Sequence, residues 1–112
     1  MNATTQNKLV TMLQEYRNDL KQISNGLLEK AKEENRENFT INGLLREYYE
    51  LAGKKLQTFD QWKEQNYSIH KGEHAYHFWD KPKQTPQGKS YCPIAFLFSQ
   101  DQVYLTAVNA TA

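Results

Sequence analysis

Between Thr58 and Trp79 the chain reads T-F-D-Q-W-K-E-Q-N-Y-S-I-H-K-G-E-H-A-Y-H-F-W, and its period changes part way along. Phe59, Trp62 and Gln65 recur at helical spacing, whereas Ile69 and then Ala75 to Trp79 read as strand. A helical pattern does not persist as a strand, so the chain must change direction here. The hinge is His70-Lys71-Gly72-Glu73, a basic turn around a glycine that lets the backbone bend. The turn also gathers cationic and ring-bearing side chains, the groups with which proteins hold single-stranded nucleic acid.

The remaining composition sets bounds. A chain of 112 residues suits one domain with one modest core. Seven Tyr, five Phe and two Trp supply rings for that core, so disorder is expected only at the ends. Net charge is +1, which excludes a polycation and leaves nucleic-acid binding to local patterning. From Lys54 to Tyr91 seven lysines face Asp60, Glu64, Glu73 and Asp80, with three histidines able to add charge below about pH 6.5. The lone Cys92 permits no internal disulfide. No apolar run approaches the roughly 20 residues that span a bilayer, and M-N-A-T-T-Q-N-K lacks a signal-peptide layout. A cytoplasmic protein without membrane contact is expected. The sequons at Asn2, Asn38, Asn66 and Asn109 are then incidental.

Residues 1–6 are polar and expected to fray, with Thr4 or Thr5 as a helix cap. Leu9, Leu13, Tyr16, Leu20, Ile23 and Leu27 then draw one helical stripe. Asn25-Gly26 interrupts it, and helix is expected to resume to about Glu34. This helix is either a packing element of the domain or a dimer seam. The charge run Glu29 to Glu37 reads as a solvated face. A second helix is predicted from Ile41 to Ala52 behind Thr40, ended by Gly53. Lys54 and Lys55 beyond it suit the helix dipole or, alternatively, a phosphate.

Thr58-x-x-Gln61 is a capping box that starts a third helix, ending by Asn66, with Leu56 as a staple and Trp62 as core. Strands follow at Tyr67 to Ile69 and Ala75 to Lys81. The loop K-P-K-Q-T-P-Q-G-K reads as a mobile basic hairpin tip. The return strand Tyr91 to Phe98 is expected to be largely buried, and at an edge or bulged at Pro93. Ser99-x-x-Gln102 starts a final turn, Val103 and Leu105 add a last strand, and the N-A-T-A tail is expected to be loose. The expected fold is α+β: about three N-terminal helices packed on a small antiparallel β-sheet. Residues 1–112 form one domain, with the amphipathic helix in 1–37.

Four pieces, in order over residues 38–104, resemble the N-terminal domain of ArdC-type antirestriction proteins, a domain also found on conjugation-associated primases and other mobile-element proteins. They are N-F-T-I-N-G-L-L, T-F-D-Q-W-K-E, S-I-H-K-G-E-H-A and F-L-F-S-Q-D-Q-V, with Ile69, Lys71, Gly72 and Glu73 matching best in the third. The resemblance implies a cytoplasmic α+β domain that binds single-stranded DNA with little sequence preference. His70 and His74 stand where the family more often has arginine or lysine, and Asn66-Tyr67 replaces the family's usual glycine before the turn. Family members often add a zinc-protease-like domain, and with no helical H-E-x-x-H in these residues none is expected here.

The candidate DNA contacts are Lys63, Tyr67, His70, Lys71, Gly72, His74, Tyr76, Trp79, Lys81, Lys83, Lys89 and Tyr91. Lysines would meet phosphates and rings would stack on bases. A purely structural reading of the turn keeps the glycine for its geometry and pairs Glu73 with a neighbouring lysine. His70 to His74 also matches H-x-x-E-H, an inverted zinc-protease signature, with Cys92 or His77 as a further ligand. That chemistry needs a helix, and a glycine between β-like stretches argues against one. No catalytic constellation, metal or cofactor is expected. A third class is a protein-interaction module, in which the Leu9-to-Leu27 stripe or an exposed aromatic face holds a partner or a second copy.

Overall fold

Three helices, α1 (Ala3–Glu33), α2 (Ile41–Tyr48) and α3 (Phe59–Glu64), are followed by left-handed residues, none of them glycine. These are Asn35 (φ 53°), Glu50 (φ 60°) and Asn66 (φ 67°). Behind α1, Asn35 N–H donates to Lys32 O (3.1 Å) and Arg36 N–H to Ala31 O (3.0 Å), the paired bonds of a Schellman stop. Behind α2 the same pair forms from Glu50 N–H to Glu47 O (3.0 Å) and Leu51 N–H to Arg46 O (2.9 Å). So α2 ends before Ala52, and Gly53 (φ 76°) serves the next turn, where Lys54 N–H donates to Leu51 O (3.0 Å). The early stop buries Leu51, the apolar position that this motif favours. The Arg46 guanidinium then donates to Leu51 O (3.3 Å) and Lys54 O (2.7 Å), fixing the turn.

The computed structural model describes residues 3–106, with side chains described from Lys8 onward. The N-A-T-A tail and the sequons at Asn2 and Asn109 lie outside the described residues. The chain forms two compact units, Met1–Leu45 and Arg46–Ala112, and the division falls inside the continuous helix α2, where no linker composition marks it. In the first unit α1 runs 31 residues without a break, so Asn25-Gly26 does not interrupt it. The cost of one helical glycine, about 1 kcal/mol, is outweighed by the helix-favouring run Leu27 to Glu33. Thr4 and Thr5 fall inside this helix rather than ahead of it, so neither is its cap. Leu20, Ser24 and Ala31 are buried along it, whereas Leu9, Val10, Met12 and Leu13 are exposed. Of the predicted stripe, Leu20 is buried, Tyr16, Ile23 and Leu27 are half-buried, and Leu9 and Leu13 are exposed.

Among its described residues the second unit carries seven short strands: β1 (Leu56–Gln57), β2 (Tyr67–Ile69), β3 (Tyr76–Trp79), β4 (Lys83–Gln84), β5 (Ser90–Tyr91), β6 (Ile94–Ser99) and β7 (Val103–Leu105). All pairings are antiparallel. They make a three-stranded sheet in the order β1-β6-β3 and two separate ribbons, β2-β7 and β4-β5, rather than one sheet. Pro93 contributes to this division. The run from Tyr91 to Phe98 is not one strand, because proline offers no ladder donor. Pro93 instead stands between β5 and β6, its carbonyl accepting from Asp80 N–H (2.8 Å). It neither bulges β6 nor confines it to an edge, and β6 is the central strand.

Register sorts the side chains. Tyr76 opposes Leu97 and Phe78 opposes Ala95, so these four share one face; His77, Trp79, Ile94 and Phe96 share the other. Phe78 is buried, with Tyr49 packed against it (centroids 5.5 Å) and against Tyr76 (5.2 Å). On the other face Phe96 is 37% exposed and Ile94 and Phe98 are only half-buried, as is Leu97 on the Phe78 face. The expectation of a largely buried return strand is thus corrected: a narrow sheet in a small unit covers its centre incompletely. Helix α3 starts as predicted, with Gln61 N–H donating to Thr58 Oγ1 (3.2 Å) and Thr58 N–H to Gln61 Oε1 (2.9 Å). Trp62 is core, 3% exposed, its indole N–H donating to Phe98 O (2.9 Å). The architecture is a small α+β one with its helices mainly N-terminal.

The Tyr49 hydroxyl donates to His77 O (3.0 Å), and burial raises its pKa, assisted by Tyr48 and partly opposed by the His77 backbone. A raised folded-state pKa gives stability that is complete below the unfolded tyrosine value of about 10 and is lost as pH rises through the folded one. Tyr49→Phe should therefore cost about 1 kcal/mol at neutral pH and flatten part of the alkaline decline. Urea unfolding of both proteins at about pH 8 and about pH 11 measures this.

Candidate functional site

The ribbon β2-β7 pairs Tyr67 with Leu105, Ser68 with Tyr104 and Ile69 with Val103. Val103 is buried and anchors it. The ladder extends one residue further, where His70 N–H donates to Gln102 O (2.9 Å). The chain then reverses: Glu73 N–H donates to His70 O (3.2 Å), and Gly72 has φ 87°. A positive φ at the third position of a four-residue turn is the type II signature and selects glycine. A Cβ at Gly72 would meet nothing within 4 Å, so backbone conformation rather than space selects it.

A single side chain braces the turn from inside. Gln102 closes the 3-10 turn Gln100–Gln102 between β6 and β7 and is 6% exposed. Its amide Nε2 donates to Glu73 Oε2 (3.0 Å) and to His74 O (2.7 Å), and its Oε1 accepts from Ser99 N–H (2.8 Å). Glu73 is thus held by Gln102, where the structural reading expected a lysine. Outside this brace, His70, Lys71, Gly72, Glu73 and His74 are all exposed. The His70 ring lies against Tyr104, with centroids 4.9 Å apart and planes tilted by 39°. Lys71 makes no ion pair among the described residues.

The other candidates divide into three groups. Tyr67 is half-buried and meets Trp62 edge-on (5.1 Å), and Tyr76 is half-buried against Tyr49, so both rings are engaged in packing. Trp79 is half-buried on the opposite face of β3 from Tyr76. Lys81, Lys83, Lys89 and Tyr91 are exposed on or beside the ribbon β4-β5, where Lys83 opposes Tyr91. The expected basic hairpin tip is closed by Thr85 N–H to Lys89 O and Gly88 N–H to Thr85 O, both 2.8 Å. Strand β3 separates turn from hairpin and, at about 3.3 Å per residue, is roughly 13 Å long. Lys63 is exposed on α3. Lys54 is paired with Asp101 (2.8 Å), and the Lys55 ammonium lies 5.8 Å from the centre of the Trp62 ring.

Two residues of the turn site escaped the sequence reading. Tyr104 sits between Val103 and Leu105, which drew attention as apolar residues; only the pairing with Ser68 reveals what shares its face. Gln102 was legible as the last member of Ser99-x-x-Gln102, the same spacing as Thr58-x-x-Gln61, but its reach to Glu73 and His74 was not. His70, Glu73 and His74 lie in and beside a turn, not on a helix. Among the described residues no three His, Cys, Asp or Glu side chains are grouped to hold a metal ion. No helix of the described residues is long and apolar enough to cross a membrane. The chain matches no family model, no curated protein and no solved structure.

Gln102→Leu keeps bulk near the original but strands the buried Ser99 N–H and removes both donors to the turn. It should lower stability by about 2–3 kcal/mol in urea unfolding, beyond what a surface substitution does.

Proposed function

We propose that this chain binds single-stranded DNA with little sequence preference, in the antirestriction and mobile-element setting that its resemblance implies. It would act in the cytoplasm, as a binding protein without catalysis or a cofactor. The observation that carries this reading is the exposed turn His70–His74, held in one shape by buried Gln102 and presenting Lys71 beside the His70 and Tyr104 rings. A fixed, glycine-containing turn lets backbone amides and an ammonium approach a phosphate, and exposed rings offer base-stacking surface without sequence preference. The hairpin lysines Lys81, Lys83 and Lys89 supply a second cationic group for the backbone of the same strand. With net charge only +1, affinity must come from such local groups.

A second reading rests on a different observation. Leu9, Val10, Met12 and Leu13 leave a run of exposed apolar side chains on α1, which suits a protein partner or a second copy. The two readings differ in their response to salt. Each phosphate contact contributes about −0.7 to the slope of log K against log salt, whereas apolar association lacks that dependence.

Fluorescence anisotropy of a labelled single strand, titrated at several salt concentrations, separates them. Saturable binding that weakens with salt is expected, and Lys71→Glu should weaken it and reduce the slope by about 0.7 or more. A folded protein that shows no saturable binding at low salt would overturn the DNA reading and favour the α1 surface.

A further inference from the structure

We infer that Tyr104, set against His70 across the ribbon β2-β7, is a base-stacking residue of the turn site, with Lys71 taking the adjoining phosphate. The inference rests on the single-stranded DNA reading and names a contact that neither composition nor the resemblance supplied. Three features of the ribbon support it. First, register turns Tyr104 away from Val103: Val103 and Ile69 oppose each other on one face, and Tyr104 opposes Ser68 on the other. Tyr104 is accordingly 47% exposed while Val103 is buried. Second, His70 falls on the Tyr104 face by alternation, and its backbone is fixed by His70 N–H to Gln102 O (2.9 Å), so its ring stands 4.9 Å from that of Tyr104. Two exposed rings are thus held side by side on hydrogen-bonded backbone, which limits the ordering that binding would require. Third, Lys71 follows His70 directly in an exposed turn, so a cation lies one residue from the ring pair. Rings and cation at that proximity match the alternation of base and phosphate along one strand.

The other candidate rings are less suited. Tyr67 and Tyr76 are packed against Trp62 and Tyr49. Tyr91 is exposed, but it belongs to the other cationic group, beyond strand β3.

The test measures affinity of the full chain for two labelled strands of equal length, oligothymidylate and a base-free abasic strand with the same phosphates. Tyr104→Ala should weaken oligothymidylate binding by about 5- to 150-fold, and Tyr104→Phe should stay close to wild type. Tyr104→Leu, which keeps an apolar strand-compatible side chain but has no ring, should behave like Tyr104→Ala and guards against a folding defect. On the abasic strand the Tyr104→Ala and Tyr104→Leu penalties should vanish, and the salt slope should match wild type on both strands. Equal binding of oligothymidylate by wild type, Tyr104→Ala and Tyr104→Leu would overturn the inference and leave the DNA reading intact. A penalty that persists undiminished on the abasic strand would also overturn it, since the residue would then act through something other than a base. If wild type binds neither strand, the DNA reading fails and this inference with it.

Discussion

The carboxamide of Gln102 ties together stretches of chain that are remote in sequence. Its oxygen takes the Ser99 amide at the end of β6, and its nitrogen reaches the Glu73 carboxylate and the His74 carbonyl beyond the turn. Its own backbone carbonyl receives His70 N–H. A buried amide satisfied on both ends is stabilising, while one deprived of a partner is costly, so the network holds as a unit or fails as one. The turn has little else to define it. It is exposed, its glycine adopts a conformation closed to most residues, and β2 and β7 are only three residues each. Isolated two-stranded ribbons are marginal, so a braced turn of this length depends on the interior group behind it.

That arrangement separates rigidity from chemistry. The groups that fix the backbone, Gln102 and Val103, are buried. The side chains that could meet a ligand, those of Lys71, His70, His74 and Tyr104, are outside, and the brace reaches His70 and His74 through their backbone. The same division recurs around Trp62, whose indole N–H is satisfied by Phe98 O while Lys63 one residue on faces solvent. It recurs again where Tyr49 donates to His77 O beneath the sheet.

Much of this was legible in the sequence because the signals were local. The capping box at Thr58 and Gln61, the burial of Trp62 at helical spacing and the turn around Gly72 all depend on residues within a few positions of one another. Helix ends were less legible. Gly53 looked like the stop of α2, yet Glu50 takes the left-handed position because burying Leu51 favours it. Strand organisation was less legible still. Pro93 correctly signalled trouble in the ladder, but whether it lay within β6, at an edge or before it depended on the remote Asp80 amide. The site was half visible: its cation and glycine were read directly, whereas Gln102 and Tyr104 reach it only through pairings across some thirty residues of chain.

In the proposed function, a single strand of DNA is held at the braced turn and the strand behind it. Amide spectra of nitrogen-15-labelled protein, titrated with a short unlabelled oligothymidylate, test it most directly. Saturable shifts are expected, concentrated at Ile69 to Ala75 and Val103 to Leu105, with smaller ones along the β4-β5 hairpin. Shifts confined to Leu9 to Leu13, or none at concentrations where the folded protein is intact, would contradict it.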